Sequence, residues 1–423
     1  MRGAVRVKTK AVRLYGKNDL RLEEFPLPAI AEDEILAKVV SDSLCMSSYK
    51  AAVQGSAHKR VPDDVAENPV IIGHEFCGEI AAVGARWQHK WQPGMKFAIQ
   101  PAIFYKGSLD APGYSFPHIG GDATYIIIPS MFMETDCLLP YEGEAFFYGS
   151  LAEPMSCIAG AFHASYHTKP GSYVHEMGIV EGGNLAILGG AGAMGLGTVQ
   201  YALGCARRPG LVVVADIDSA RLQRAEKLNP PAKAAEQGIQ LAYADVSGPG
   251  AVQSLLGLTG GKGYDDVFVY APVRRAVEMG GALLGRDGCL NFFAGPTDPS
   301  FSASFNFYDV HYAAAHLVGT SGGNTHDMLE CISMMERGLL DPAVMITHIG
   351  GLDAVAQATL QLPKLPGGKK LIYTHISMPL TAIADFAKLG EKDPLFAALH
   401  GIVESNNGLW CAQAERYLLS NRL

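Results

Sequence analysis

The pattern of hydrophobic and polar positions changes character near residue 150. Before that point, short apolar runs such as EILAKVVSDSLC, IIGHEFCGEIAAVG, MKFAIQ and TYIIIP are separated by Gly and Pro. Runs of this kind are typical of strands in a compact β-rich domain. We therefore predict such a domain over residues 11–150, and we expect the His-Glu pair of the second run to lie inside an apolar strand.

Beyond Gly149 the pattern predicts alternating strands and helices. EPMSCIAGAFHASYH looks helical, and NLAILGG, LVVVADI, DDVFVY and CLNFFAG are apolar runs separated by helix-like stretches. Strands that are apolar throughout indicate a parallel sheet covered on both faces. Further helical stretches and one strand-like run, KKLIYTHI, follow from about Asn324, and the tail from Thr381 to Leu423 looks helical. The fold class is therefore α/β, with a doubly wound parallel-sheet domain inserted in a β-rich domain.

Composition narrows the class of protein. The chain has 423 residues, 48% hydrophobic and 18% charged, which is an ordinary globular composition with room for two domains. A net charge of −8 gives no sign of nucleic-acid or membrane partners. The N-terminus lacks the apolar core of a secretory signal, and no run approaches the roughly 20 apolar residues of a membrane helix. The eight cysteines form no close pair, which argues against disulfides and favours a cytoplasmic setting.

A glycine-rich turn follows the run NLAIL. Its glycines, Gly190, Gly192 and Gly195, have the spacing that lets a pyrophosphate approach a helix N-terminus, with Ala193 and Met194 between them. Asp216 ends the next apolar run, where an acid binds ribose hydroxyls and favours NAD(H) over NADP(H). Arg221 could accept a 2′-phosphate, so NADP(H) use stays open, and the glycines alone could form a purely structural turn.

Four residues are candidate zinc ligands. Cys45, His74, Glu75 and Glu153 offer the thiolate, imidazole and carboxylate groups that zinc binds in proteins. Each also has an ordinary alternative when read alone. Cys45 could be a small core side chain, His74 a hydrogen-bonded core residue, and Glu153 the cap of a helix that starts at Pro154.

Read together, these segments resemble a known family. GHEFCGEIAAVG, LAEPMSC, CMSS and GGAGAMG are similar to the zinc-dependent medium-chain dehydrogenase/reductase family, which includes alcohol and polyol dehydrogenases. The resemblance implies a GroES-like catalytic domain (1–165, completed by 326–423 with the tail) around a Rossmann domain (166–325). It implies one catalytic zinc held by Cys45, His74 and Glu153. Glu75 would be a fourth ligand or one that exchanges with water. The family's four-Cys structural zinc lobe has no counterpart here.

Longer blocks resemble a branch of that family that acts on sugar phosphates. They include HKRVPDDVAENPVIIGHEFCGEI, PGYSFPHIGGDATYIIIP and FNFYDVHYAAAHLVGTSGGNTHDM. The implied activity is hydride transfer between NAD(P)H and a ketose or polyol phosphate, in the first place L-sorbose 1-phosphate and D-glucitol 6-phosphate. A dehydrogenase of an unphosphorylated polyol and a non-catalytic dinucleotide-binding protein remain alternatives. The family also implies a homo-oligomer formed by edge strands, for which CLNFFAG is a candidate.

The resemblance and the local chemistry suggest roles for further residues. Ser47 matches the family's proton-relay hydroxyl, and with Glu75 and Glu153 it completes the expected catalytic set; its alternative is an ordinary turn residue. Gly319 and Ser321 match the backbone that approaches the nicotinamide, or form a turn before a helix near Asp327. The candidates for binding the substrate phosphate are Lys50, His58, Lys59 and Arg60. That basic loop could instead be a solvated surface.

Overall fold

The computed structural model describes residues 7–422, so the first part of the N-terminal stretch discussed above lies outside the described residues. The chain forms two compact units. One contains the residues up to Glu153 together with those from Ile346 onward, and the other is Pro154–Met345. The domain boundaries expected from the resemblance, 165/166 and 325/326, stay a prediction.

The elements alternate as the sequence pattern predicts. The strands are β1 (Lys8–Gly16), β2 (Asp19–Pro26), β3 (Ile35–Leu44), β4 (Val70–Ile71), β5 (Cys77–Val83), β6 (Lys96–Ile99), β7 (Tyr125–Ile128), β8 (Leu138–Pro140), β9 (Tyr166–Thr168), β10 (His175–Met177), β11 (Asn184–Leu188), β12 (Leu211–Asp216), β13 (Gln240–Asp245), β14 (Tyr264–Val269), β15 (Leu284–Phe292), β16 (His316–Gly319), β17 (Ile346–Gly351), β18 (Lys369–Tyr373) and β19 (Thr381–Ala382). The helices are α1 (Met46–Gln54), α2 (Met131–Glu134), α3 (Phe146–Ala164), α4 (Ala193–Gly204), α5 (Ser219–Leu228), α6 (Pro231–Glu236), α7 (Ala251–Leu258), α8 (Arg274–Leu283), α9 (Phe307–Tyr312), α10 (Thr325–Glu336), α11 (Val355–Gln361), α12 (Phe386–Gly390), α13 (Pro394–Ser405) and α14 (Ala412–Arg422). None of these helices is long and apolar enough to cross a bilayer.

The second unit contains a six-stranded parallel sheet. Its strand order is β13-β12-β11-β14-β15-β16, and each neighbouring pair is parallel. All six residues of β12 are buried, as expected for a strand covered on both faces. The order reverses between β11 and β14, which is the switch point where such sheets bind nucleotides. The predicted doubly wound domain is therefore confirmed.

The first unit is β-rich. Its largest sheet has the order β19-β17-β18-β3-β5-β6-β8, with β7 also paired to β3, and β2-β1-β4 form a smaller sheet. Alternate residues of β3 (Ile35, Ala37 and Val39) are fully buried in one hydrophobic cluster, because successive strand side chains point to opposite faces. The central strand β3 leads directly to the candidate ligand Cys45.

The run IIGHEFCGEI does not form one strand, which corrects our expectation. β4 ends at Ile71 and pairs with β1, whereas β5 begins at Cys77 and pairs with β3 and β6. Gly73 between them has φ +88°, a conformation that an ordinary strand interior does not adopt. His74 and Glu75 therefore lie in a buried loop between two sheets.

The expectation that CLNFFAG forms an edge strand for pairing is also wrong. CLNFFAG lies at the end of β15, which is hydrogen-bonded to β14 on one side and to β16 on the other. The edges of the six-stranded sheet are β13 and β16. An inner strand has no free backbone groups to offer to a second chain.

The C-terminal tail is helical, as predicted, but it begins with a strand. β19 pairs antiparallel with β17 and thereby extends the large sheet of the first unit. α12, α13 and α14 follow, and Trp410 in the loop before α14 is fully buried beside Phe386 and Tyr373. The tail is therefore an integral part of the first unit.

Candidate active site

Cys45 stands at the junction of β3 and α1. Its backbone is extended (φ −119°, ψ 145°), and it occupies the N-cap position of α1. The Cys45 sulfur accepts a hydrogen bond from the Ser47 N–H at 3.5 Å, so the thiol takes the place of the usual capping oxygen. Burial raises the pKa of the Cys45 thiol. The helix start thus fixes the direction in which the sulfur points.

The loop of His74 is built around Gly73. A Cβ at Gly73 would come within 2.1 Å of the Asp42 carboxylate, so both the space and the positive φ require glycine. His74 is 5% exposed, and its Nδ1 lies 3.3 Å from the Ser48 hydroxyl. A metal-binding histidine is usually held through its second nitrogen in this way, which leaves Nε2 as the ligand atom.

Glu75 is held from three directions. Its N–H donates to Asp42 at 3.1 Å, its carboxylate accepts from the Ser43 hydroxyl, and both carboxylate oxygens lie 2.5 Å from the Lys369 ammonium. Burial alone would raise the pKa of Glu75, but the charges of Lys369 and His74 and the hydrogen bonds from Lys369 and Ser43 together outweigh it, so the pKa is lowered. Glu75 is therefore ionised at neutral pH, as a metal ligand must be.

A pair of buried acids lies behind this loop. Burial raises the pKa of Asp122 to about 8 and that of Asp42 well above its usual range. The negative charge of Asp122 adds to the effect of burial on Asp42, so the pair retains a proton at neutral pH. This keeps one more negative charge out of a site that already holds Glu75.

The structure brings three of the predicted ligands together. The ligand atoms of Cys45, His74 and Glu75 all lie within 4.8 Å of one another. One thiolate, one imidazole and one carboxylate are a donor set that zinc accepts, and a three-residue set leaves a coordination position open for substrate. The residues present therefore fit a catalytic zinc.

Glu153 is near the cluster but is not one of these three. It lies in the interior of α3, so the alternative in which it caps a helix start is wrong. Burial, and next the charge of Glu75, raise the pKa of Glu153 to about 8; His74, Cys45 and Lys369 also act on it. The Glu153 side chain therefore interacts electrostatically with the cluster, and its role as a ligand stays a prediction.

Tyr114 is a site residue that the sequence did not reveal. Its hydroxyl lies 3.3 Å from His74 Nε2, and a side-chain hydrogen bond with Ser47 acts on its pKa. Tyr114 is 2% exposed, and burial raises the pKa of the phenol, which stays protonated. The sequence suggested only that PGYSFPHIGG could line a pocket. Tyr114 therefore lies beside the metal-binding side of His74 and interacts with the expected relay residue Ser47.

Lys369 and Ser48 were also missed. KKLIYTHI was read only as a strand, and β18 is indeed buried along its whole length. Two lysines in a strand that is otherwise apolar indicate that charged or polar partners lie nearby. This was the only sign in the sequence that Lys369 could belong to the site. It could not identify Glu75 as the partner, because the two residues are 294 positions apart.

The basic loop has the predicted charge, arranged around Tyr114. The His58 ring stacks on Tyr114 with ring centroids 5.6 Å apart, and the Arg60 guanidinium lies 5.4 Å from the same ring. Burial, assisted by Arg60, Lys59 and Lys50, lowers the pKa of His58 to about 4, so His58 is neutral at physiological pH. Lys50 is half-buried on α1, and burial lowers its pKa. The three cations therefore surround a neutral histidine that contacts Tyr114.

In the second unit, the glycine turn has the geometry expected of a nucleotide site. Gly192 is the N-cap of α4, and a Cβ on it would meet only the Gly189 carbonyl, at 3.7 Å. A Cβ on Gly195 would come within 2.1 Å of the Gly190 carbonyl, so helix packing requires that glycine. Space in front of Gly192 is open and faces the first N–H groups of α4, including those of Ala193 and Met194. The turn fits a pyrophosphate.

Asp216 lies at the end of β12 and is oriented by the turn. One carboxylate oxygen accepts from the Ala191 N–H at 3.1 Å, and the other accepts from the N–H groups of Ile217 and Asp218. Arg221 is exposed in the first turn of α5, with its guanidinium 3.4 Å from Asp218. A carboxylate has about four acceptor positions, and three N–H groups use three of them, so a ribose hydroxyl can still bind Asp216.

Gly319 ends β16 at the carboxyl edge of the parallel sheet, and Ser321 is exposed in the loop that follows. A Cβ on Gly319 would meet only the Phe292 carbonyl, at 3.7 Å. α10 begins after this loop with Asn324 as its cap and Asp327 completing the capping box. The backbone at Gly319 is thus open to a ligand, at the edge where such sheets bind nucleotides.

Comparison with known proteins agrees with the site described above. The family described as the alcohol dehydrogenase GroES-like domain matches residues 31–135, which include the Cys45–Glu75 cluster. An L-sorbose 1-phosphate reductase from Klebsiella pneumoniae is 51% identical over 98% of this chain and 98% of its own. The chain belongs to the zinc-dependent medium-chain dehydrogenase/reductase family. It is an oxidoreductase, which removes the alternative of a non-catalytic binding protein.

Two further comparisons concern a second curated relative and a solved structure. A mannitol-1-phosphate 5-dehydrogenase from Aliivibrio fischeri (strain ATCC 700601 / ES114) is 50% identical over 97% of each chain. A Sinorhizobium meliloti 1021 protein assigned to the zinc-binding dehydrogenases has been solved with NADP bound. It superposes with a TM-score of 0.70, at 21% identity, over 87% of this chain and 100% of its own. At that identity the likeness is one of fold. The predicted GroES-like and Rossmann organisation is confirmed.

Proposed function

We propose that this dehydrogenase is a zinc-dependent reductase of a ketose phosphate, with L-sorbose 1-phosphate as substrate and D-glucitol 6-phosphate as product. The observation that carries the proposal is the Cys45–His74–Glu75 cluster, which Tyr114 connects to a loop with the cations Lys59 and Arg60, near Lys50 of α1. A free polyol would give that positive loop nothing to bind. The 50% identical mannitol-1-phosphate 5-dehydrogenase favours a second candidate, a related hexitol phosphate.

The reaction adds hydride from C4 of the nicotinamide to the substrate carbonyl carbon, adds a proton to its oxygen, and releases NAD(P)⁺. Cys45, His74 and Glu75, with Glu153 as a further ligand, would hold a zinc ion, which would supply Lewis-acid polarisation of the carbonyl. Ser48 orients His74, and Lys369 keeps Glu75 ionised and in place. Ser47, which follows Cys45 in α1 and interacts with Tyr114, is the hydroxyl that we assign to deliver the proton. In the opposite direction the same hydroxyl accepts it.

We expect the enzyme to discriminate strongly between phosphorylated and free substrates. The wild type should use L-sorbose 1-phosphate at least about a hundredfold better, in kcat/KM, than L-sorbose, because two hydrogen bonds between charged groups contribute about 3 kcal/mol or more. Steady-state oxidation of NADH and NADPH with both sugars measures this ratio. Oxidation of D-mannitol 1-phosphate and D-glucitol 6-phosphate decides between the two candidates. Equal use of the free sugar would refute the phosphate proposal.

Arg60→Ala tests the basic loop within the same assay. It should raise KM for the phosphorylated sugar about tenfold while leaving the slow reaction of the free sugar unchanged. The matched control is Arg86→Ala. Arg86 also lies over an aromatic ring, with its guanidinium 5.3 Å from the Trp87 ring, but in a different part of the unit. If Arg60→Ala slows both sugars equally, the loop has only a structural role through Tyr114.

The cofactor preference depends on Asp216. We propose that it binds the adenosine ribose and that NAD(H) is preferred, with Gly190, Gly192 and Gly195 forming the pyrophosphate turn and Gly319 and Ser321 facing the nicotinamide. Asp216→Ala should lower the NADH/NADPH ratio of kcat/KM by about tenfold or more, since a charged hydrogen-bond acceptor that repels a 2′-phosphate is lost. Asp245→Ala, at the end of the adjacent strand, is the control. Equal weakening of both cofactors would show that Asp216 only supports the turn.

The proposal also covers the cellular location and the oligomeric state of the enzyme. We propose a cytoplasmic homo-oligomer that acts on small sugar phosphates. All eight cysteines are free thiols, which suits a reducing compartment. β16 is an edge of the parallel sheet, and the nearby chain exposes large apolar side chains, among them Phe307, Tyr308, Tyr312 and Leu317. Those features favour β16 as the pairing strand.

A further inference from the structure

The C-terminal tail carries a buried carboxylate that the proposed chemistry does not use. Glu415 on α14 is 2% exposed. Its Oε1 accepts from the Phe146 N–H at 2.7 Å, and its Oε2 accepts from the Phe147 N–H at 2.9 Å. These are the first N–H groups of α3, which have no partner within their own helix. A residue 269 positions away therefore caps α3.

The capped part of α3 is the part that carries Glu153. Pro154 lies inside the helix and has no N–H, so the hydrogen bond that would tie it to the preceding turn is missing. The turns from Phe146 to Glu153 are thus connected less firmly to the rest of α3. Their position depends on the elements around them.

Two contacts within the first unit accompany the cap. The Ser150 hydroxyl lies 2.8 Å from that of Ser41 on β3. A Cβ on Gly149 would lie 2.4 Å from the Cys77 sulfur, so α3 packs directly against β5. These contacts hold the sides of the segment, and Glu415 holds its end. Cys77 is accordingly a packing residue.

Glu415 also reaches the strand that carries Lys369. The Tyr373 hydroxyl donates to Glu415 at 2.8 Å and accepts from the Trp410 indole N–H at 2.8 Å. Tyr373 ends β18, and Lys369, which binds Glu75, begins it. The tail therefore touches both elements that bring distant residues to the cluster.

We infer that Glu415 is a positioning residue for the metal cluster: by capping α3 it sets Glu153 against Cys45, His74 and Glu75. The inference rests on the proposed zinc site. It assigns the tail a role in the active site, although no tail residue belongs to the cluster itself. Its consequence is that zinc affinity depends on Glu415, and that this dependence passes through Glu153.

Zinc affinity of the full-length protein tests this directly. Zn²⁺ is removed and added back in competition with a chromophoric chelator, and NADH binding is measured on the same samples. Glu415→Ala should raise the Kd for Zn²⁺ by about tenfold to a hundredfold, the usual cost of losing a group that orients a ligand. NADH affinity should not change. Arg416→Ala is the control on the same helix, since it removes only an exposed ion pair with Glu144.

A double-mutant cycle separates positioning from general loosening. In a Glu153→Ala background, Glu415→Ala should have a much smaller effect on the zinc Kd, because the route through α3 is gone and only the contact with β18 remains. An equal loss in both backgrounds would overturn the inference, as would an unchanged Kd for Glu415→Ala alone. If Glu415→Ala does not fold, the same cycle is measured with Glu415→Gln. The amide keeps one acceptor oxygen, but its NH2 group cannot accept from the second N–H of α3. A wild type that binds no Zn²⁺ would refute the proposed function itself.

Discussion

His74→Ala should abolish turnover while NADH still binds. The imidazole is the central member of the cluster, and its loss leaves a thiolate and a carboxylate that cannot hold a catalytic metal alone. Lewis-acid polarisation lowers the barrier by several kcal/mol, so its loss should reduce kcat/KM by about a thousandfold or more. Steady-state kinetics, zinc content by atomic absorption and NADH fluorescence titration measure the three quantities.

The matched control for this substitution is His89→Ala. His89 is an exposed histidine in the same unit, stacked on Trp87, and its loss should leave zinc content and turnover unchanged. Cys45→Ser should reproduce the effect of His74→Ala, since it removes the thiolate. Normal turnover in either variant would refute the zinc assignment, whereas lost NADH binding would indicate that the fold had been damaged.

Lys369→Met should destabilise the protein by about 3–5 kcal/mol in free energy of unfolding at neutral pH. The substitution leaves the Glu75 carboxylate, which is 1% exposed, without the ammonium that holds both of its oxygens. A buried charge without its partner costs far more than the pair contributes when intact. Denaturant unfolding of both proteins measures the difference, and the zinc Kd of the variant should rise as well.

The pH dependence of this loss has a definite sign. Lys369 holds the pKa of Glu75 below its ordinary value of 4.5, so the pairing stabilises the fold above that pH and is lost as the pH falls through the lowered pKa. In Lys369→Met burial acts unopposed by Lys369, so Glu75 takes up a proton more readily and the deficit should shrink between pH 7 and 5. Lys369→Met with Glu75→Gln should recover most of the stability. A deficit that is equal at both pH values would indicate lost packing instead.

Local patterns carried much of the fold prediction. The run LVVVAD was assigned to a strand covered on both faces because every residue in it suits burial, and all of them are buried. The glycines of the turn were readable since their requirement is local: Gly195 packs against Gly190 only five residues away. The long blocks that resemble sugar-phosphate enzymes led to the correct family.

Errors arose where the backbone conformation depends on distant groups. IIGHEFCGEI has the composition of one strand, but Gly73 turns the chain so that it clears the carboxylate of Asp42. CLNFFAG is apolar enough for an interface, but its two hydrogen-bonded neighbours are set by sheet order. Neither fact can be read from a window of the sequence.

The sequence by itself determined the turn that suits a pyrophosphate, because residue chemistry and short spacing suffice for it. Together with the resemblance to a known family, it also determined the class of the protein and the identity of Cys45, His74, Glu75 and Glu153 as candidate ligands. Only the tertiary structure decided what surrounds them. It brought Lys369 to Glu75, Tyr114 to His74 and Glu415 to the start of α3, across 294, 40 and 269 positions respectively. Pairings of this kind follow from burial, since each buried polar group must find a partner wherever the fold supplies one.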